Sequence, residues 1–202
     1  MKFTGENTLH APVDQVWDAL LDPAVLVRTI PGCERLEATG ENAYAMTVTA
    51  GVAAIKGTYS GSCTLSDLVH HESLVMRLDG AGAPGTIGAT VQVRFAAPAD
   101  GTTTVAYDAD AVVGGMVGGV GQRMLTSVSK RMAGEFFGNV AAVLDGGTGG
   151  TGVLMDPPEP GMPAVYTDVR SGRSDSSRTD FLTGVAVGAG LVLLGVLLGR
   201  RR

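Results

Sequence analysis

Apolar residues recur along this chain with two periods, and the switches between them mark its elements. Lys2 to Leu9 alternates Phe3, Gly5, Asn7 and Leu9, the period of two expected of a short strand. Pro12 stands where a first helical turn tolerates it, and Val13, Val16, Trp17, Leu20 and Leu21 follow at i, i+3, i+4, i+7 and i+8. Pro23 opens a second short helix through Val27 and Ile30, which Pro31-Gly32 ends. From about Glu34 to Val113 the period is two again. The segments are separated by Gly40-Glu41-Asn42, residues 51–57, His70-His71-Glu72, residues 80–85 and residues 98–101. Tyr44, Met46 and Val48 share a face; so do Tyr59, Gly61, Cys63 and Leu65; Leu74, Met76 and Leu78; Val91, Val93 and Phe95; and Val105, Tyr107, Ala109 and Ala111. The intervening positions are mainly Thr, Ser, Asp, Arg and Lys, so the pattern predicts an antiparallel sheet with one wet side. The cover for the dry side is a long helix from about Val120 to Leu144, with Met124, Val128, Met132, Phe136, Val140 and Val143 as its stripe.

The pattern stops near Asp145. Residues 146–180 mix Gly, Pro, Ser and Asp with too few apolar residues to fold alone, so they read as a flexible linker with a reach on the order of 30 Å. Phe181 to Leu198 is then an uncharged apolar run, long enough as a helix to cross about 27 Å of hydrocarbon, and Arg200, Arg201 and Arg202 close it. Three parts are expected: a folded domain over 1–145, a linker over 146–180, and a membrane-anchoring helix over 181–199. Met1 and Lys2 lead directly into a strand with no export signal. The folded domain is therefore expected on the cytoplasmic side of the cell membrane. The arginine triplet then falls on the far side, against the positive-inside rule, and a re-entrant helix with snorkelling arginines is the alternative.

Charge narrows the function. The net charge is −5 and the 15 Lys and Arg residues are scattered, so no basic stripe for nucleic acid is visible. Two cysteines, Cys33 and Cys63, fall short of a zinc pattern and are expected to be reduced. His70 and His71 are adjacent in a turn, so their side chains are expected to diverge and share no metal. Asp108 and Asp110 share the wet face of one strand, and Cys33 has no base assignable from spacing. Residues 112–121 are Gly-rich, but they lack the G-x-G-x-x-G order and a following Gly-Lys-Ser/Thr, and Val and Met lie between the glycines. No catalytic set and no metal site emerge.

The order of strand, two short helices, about six strands and a long C-terminal helix resembles the α+β helix-grip fold of the START-like (SRPBCC) superfamily. More specifically, APVDQVWDALLDPAVLVRTIPGCERLE, TVAYDADAVVGGMVGGVGQRML and the appended Gly/Pro linker with its apolar tail resemble the CoxG family of carbon monoxide dehydrogenase subunits. Pro31-Gly32-Cys33-Glu34, and the strand from Tyr107 to Gly115 leading to Gly121-Gln122-Arg123, carry most of that likeness. The resemblance implies an apolar cavity between helix and sheet. It also implies partnership with a molybdenum carbon monoxide dehydrogenase that must pass electrons to a quinone dissolved in the bilayer.

The residues favour a cavity independently. Aromatics are 5% of the chain and glycines number 30, while Gly61, Ala89, Ala109 and Ala111 are inward candidates too small to fill a curved sheet. Methionines supply adaptable walls. The expected lining is Val48, Val52, Tyr59, Met76, Leu78, Phe95, Tyr107, Met116, Val120, Met124 and Val128, with Tyr59 and Tyr107 as donors to a quinone carbonyl. Residues 112–121 and 51–55 form the expected apolar lips. The expected function is non-enzymatic: a membrane-tethered protein that recruits the dehydrogenase and carries menaquinone, or another isoprenoid quinone, between bilayer and enzyme. The alternatives are a passive membrane anchor or assembly factor and, more remotely, a START-like lipid binder or cyclase.

Overall fold

The computed structural model describes residues 1–146, 153–156 and 164–168. The elements run β1 (Lys2–Leu9), α1 (Val13–Leu21), α2 (Pro23–Thr29), β2 (Cys33–Gly40), β3 (Ala43–Val52), β4 (Ile55–Val69), β5 (Ser73–Gly82), β6 (Gly85–Ala96) and β7 (Thr103–Gly114). A single helical turn, α3 (Gly115–Gly118), leads into α4 (Gln122–Leu144), and β8 (Val153–Asp156) and β9 (Val165–Asp168) follow. The described strands form one antiparallel sheet in the order β1-β7-β6-β5-β4-β3-β2-β9-β8. Consecutive strands from β2 to β7 are neighbours, as short polar turns dictate, and α1 and α2 carry the chain from β1 across to β2. This is the expected curved sheet with a long helix.

The local chemistry of the helices explains their limits. Asp22 caps α2, its carboxylate accepting from the Ala24 backbone N–H at 2.8 Å, and Pro23 takes the first position where no donor is needed. Gly32 ends that region at φ +73, and any Cβ there would collide with the Thr49 carbonyl, so only glycine lets the turn close on β3. Toward its C-terminus α4 is held by Asn139, whose amide donates to the Thr29 carbonyl at 3.0 Å, and by Phe137 and Val140 packed with Leu9, Ala11, Val16 and Val105. Near its N-terminus it rests on Leu125, which packs with Tyr59 and Val117.

The tail region differs from expectation in its strands. Within the segment expected as linker, β9 pairs with β2 at Arg35↔Thr167, Leu36↔Tyr166 and Glu37↔Val165, and β8 pairs with β9. Tyr166 packs against the cluster containing Trp17, Leu36 and Tyr44. Without β9, β2 would be an open sheet edge with a row of unpaired backbone groups. Three β-formers, Val165, Tyr166 and Thr167, suffice to pair an edge that supplies the other half of the ladder. Averaging composition over the whole Gly/Pro-rich segment hides such a short run. The expected membrane helix lies outside the described residues; among the described residues no helix is long and apolar enough to cross a membrane.

Candidate functional site

The inner face of the sheet is arranged in rows fixed by strand register. At its centre the facing residues are small: Gly61 stands opposite Gly80, Ala89 opposite Ala111, and Ala109 opposite Val91. Gly61 and Gly82 have a second reason to be glycine, since a Cβ on either would strike a neighbouring strand's carbonyl, of Asp79 or Thr58. The curvature of the sheet and its shortage of inward bulk thus have a common origin.

Buried apolar residues do not form one continuous core. One cluster joins Trp17 and Val27 to Cys33, Leu36, Tyr44, Cys63, Leu65 and Leu74; a second gathers Leu9, Val16, Val105, Phe137 and Val140; a third gathers Tyr59, Val117 and Leu125. Val128 and Met132, in the middle of the α4 stripe, are half-buried and belong to none of these clusters. The main backbone neighbours of α4 are α2, β1, α1 and β3, which leaves the helix bridging over the small residues of the central strands. Met46, Val48, Met76 and Leu78, which a filled core would bury, stay half-buried. These four pack against the first cluster, and Val93 and Phe95 pack against both the first and the second, so among the described residues the face that the sheet turns to α4 is apolar, with small residues at its centre.

The expected lining residues divide by position. Val48, Val52, Met76, Leu78, Phe95, Tyr107, Val120 and Val128 are half-buried, and Tyr59 is buried. Met116 and Met124 do not face inward: they are 63% and 44% exposed. The adjacent Val117 and Leu125 take the interior positions instead, at 3% and 8% exposure. Leu125 stands three residues before Val128 and Met124 four, and it is Leu125 that meets Tyr59 and Val117, while Val128, Met132 and Val140 keep their expected side of the helix. Leu125 was legible in the sequence as an apolar residue at helical spacing from Val128, but the longer i+4 series through Met124 competed with it.

The tyrosines of the interior differ in their commitments. The Tyr44 hydroxyl donates to the Leu21 carbonyl at 3.3 Å. The Tyr59 and Tyr107 hydroxyls have no hydrogen-bond partner among the described residues, and burial pushes both phenols above their ordinary range, so they remain protonated donors. Tyr59 pairs with Gly82 and Tyr107 with Val93, itself opposite Leu74; Gly82 and Leu74 are eight residues apart on β5. At ~3.3 Å per residue the two tyrosines stand roughly 25 Å apart along the strands. They cannot hold the same ring. Tyr59 is buried next to Val117 of the α3 lip, and Tyr107 is half-buried toward the other end of the inner face, stacked on Phe137 at 6.2 Å.

Other expected groups carry no site. Cys33 and Cys63 are buried and not bridged, and desolvation raises the Cys63 thiol to about 12, far from a nucleophile's range. His70 and His71 do not diverge: their ring centroids lie 3.7 Å apart, and both rings face Trp17, at 5.6 and 6.0 Å. His71 sits at φ 64, and this left-handed kink turns its ring back toward its neighbour's. The described residues contain no cluster of three metal-ligating side chains.

The family model for the CoxG subunit of carbon monoxide dehydrogenase matches residues 5–145. The chain belongs to that family. A solved structure of a conserved protein from Geobacillus kaustophilus is 32% identical to this CoxG-family chain, covers 72% of it and 96% of the other protein, and superposes with a TM-score of 0.70. A START superfamily protein from Mycobacterium smegmatis (9% identity, 72% and 97% covered, TM-score 0.57) and the Zhui aromatase/cyclase from Streptomyces sp. R1128 (18%, 72% and 93%, 0.56) share the START-like fold. No curated protein matches the chain. In this CoxG-family chain Pro31-Gly32-Cys33-Glu34 is a structural joint: Cys33 is buried and the Glu34 carboxylate accepts from the Thr49 hydroxyl at 2.6 Å.

Proposed function

We propose that this CoxG-family protein binds an isoprenoid quinone of the menaquinone class between α4 and the sheet. Held at the cytoplasmic face of the cell membrane by its apolar C-terminal run, it shuttles that quinone between the bilayer and a molybdenum carbon monoxide dehydrogenase. The observation that carries this reading is the apolar inner face of the sheet under α4, small at its centre at Gly61, Ala89, Ala109 and Ala111, with two tyrosine hydroxyls that have no hydrogen-bond partner among the described residues. An apolar space with one or two polar handles suits a ligand that is mostly hydrocarbon with a carbonyl-bearing ring. The family supplies the enzyme partner. The protein contributes binding and shielding, while the redox chemistry belongs to dehydrogenase and quinone.

A quinone ring lies near the bilayer–water boundary with its tail inside, so extraction begins with the ring. It then travels inward to Tyr107 while the tail follows past Tyr59.

Organic extraction of the purified protein followed by mass spectrometry should recover an isoprenoid quinone, and added menaquinone should raise the thermal midpoint. Ala109→Trp, which places a ring at the centre of the inner face, should leave a folded protein that still associates with the dehydrogenase but no longer binds quinone. Absence of both co-purifying quinone and stabilisation would remove the carrier reading and favour the passive anchor.

A further inference from the structure

The two ends of the sheet differ in chemistry. At one end lie the tips 52–55 and 82–85 and the connection 114–121, and none of these contains a charged residue. Ala53, Ala54 and Ala83 are exposed there, with Met116 at 63% and Met124 at 44% exposure. The first charges after the outer two connections are Lys56 and Arg123. Arg123 and Lys130 line an open depression of about 540 Å³ with Gln122, Thr126 and Ser127, beside Met124. The turns at the opposite end carry Glu41, Glu72 and Asp100, with Asp67 close by. The apolar end also has Asp79, paired with Arg77, Asp110, beside the Met1 amino group and Lys2, and Glu34, bound to Thr49, a few residues behind its tips, and the opposite turns also hold His70 and His71; the tips themselves are uncharged at the first end and carry acidic residues at the other.

The register of β9 places the chain's exit at the apolar end. β3 runs toward its tip at Val52, β2 runs away from that tip, and β9, antiparallel to β2, runs toward it again. The chain therefore leaves β9 at Asp168 heading the same way as the mouth beside Tyr59. Only residues 169–180 separate Asp168 from the apolar run at Phe181, a connection that spans at most about 40 Å fully extended.

We propose that the end of the molecule bearing 52–55, 82–85, Met116 and Met124 docks on an anionic lipid bilayer, with β9 acting as the clasp that holds the mouth toward it. This rests on the quinone-carrier reading for its purpose, but the docking itself is independent of any ligand. Small apolar tips enter the interfacial layer at little cost, and Lys56, Arg123 and Lys130 meet phosphate groups at the rim. The acidic end is repelled by the same surface, so orientation is set from both sides.

The test uses the full chain in vesicles of phosphatidylcholine and phosphatidylglycerol. An environment-sensitive nitrobenzoxadiazole label is attached at Ala54→Cys or Met116→Cys on the rim, or at Glu41→Cys or Asp100→Cys opposite; the native cysteines are buried and stay in place. The rim labels should shift to the blue and be quenched by doxyl-labelled lipid, while the opposite pair reports water. Ala83→Asp should abolish most of the quenching at Met116→Cys and slow quinone uptake from vesicles, while leaving uptake from detergent unchanged. Rim labels that read water, that are quenched no more than the opposite pair, or that are shielded without doxyl quenching, as when the apolar tail itself covers the rim, would overturn the proposal. A protein that docks but takes up no quinone from detergent sinks the carrier reading alone, and one that takes up quinone without docking sinks only this one.

Discussion

Tyr107 lies across Gly5, its register partner on β1, so closely that a side chain at position 5 would occupy the space of the phenol ring. The glycine gives the ring a floor, and Phe137 of α4 closes it from above in a near-parallel stack of 17°. This sandwich fixes the position of an uncommitted hydroxyl at the end of the inner face away from Tyr59. Gly5→Val should therefore displace Tyr107 and weaken quinone binding more than Tyr107→Phe does, since it moves the wall as well as the donor. Tyr107→Phe should raise the quinone dissociation constant roughly 2- to 10-fold, the worth of one neutral hydrogen bond, with little change for Tyr59→Phe. Tryptophan or tyrosine fluorescence titration of the three variants reads this directly.

Leu125 and Met124 make a paired test of the helix phase. Leu125→Ala should cost about 2–4 kcal/mol in denaturant unfolding, because it removes a buried side chain that joins α4 to Tyr59 and Val117. Met124→Ala should change stability by less than about 0.5 kcal/mol, as an exposed position does. Comparable losses at the two positions would mean that α4 is rotated from the phase described.

Tyr166 tests the clasp. Tyr166→Ala should lower stability by about 1–2 kcal/mol, less than a fully buried aromatic, because Tyr166 is half-buried against the Leu36 cluster. A chain ending at Asp145 should still fold on its three clusters, yet it should self-associate more readily through the uncovered β2 edge. Light scattering against concentration, compared with a chain ending at Asp168, measures the difference. Equal behaviour of the two would mean that β9 does not cover the edge in solution.

Alkaline pH should expose the burial of Cys63. Its thiol is held neutral in the folded protein up to about 12, against an ordinary value of 9.0, whereas in the unfolded chain it ionises from pH 9 upward. The unfolded state then binds fewer protons than the folded one, so stability falls as pH rises, by up to about 1.4 kcal/mol per unit between the two values. Below pH 9 this contribution is constant. Tyr44, Tyr59 and Tyr107, raised by burial, add to the decline above pH 10. Cys63→Ala should flatten the pH 9 to 12 limb of a stability profile while leaving neutral-pH quinone binding intact.

Sequence alone determined the elements of the folded part and their inner faces, because a period of two or 3.6 directly records which side chains avoid water. Tyr44, Cys63, Leu74, Val91 and Val105 are buried where alternation placed them. The family likeness was equally legible, in contiguous runs such as Pro31-Gly32-Cys33-Glu34. Tertiary structure decided what depends on contacts between distant segments. The β2 edge recruited Val165 to Asp168 out of a Gly/Pro-rich stretch, the contact with Tyr59 and Val117 chose Leu125 over Met124, and the kink at His71 brought two imidazoles together against Trp17. The same holds for the interior. Periodicity shows that Tyr59 and Tyr107 both face inward, but the register of the intervening strands sets them roughly 25 Å apart along the strands, because each residue advances a strand by ~3.3 Å and no local pattern records the pairing.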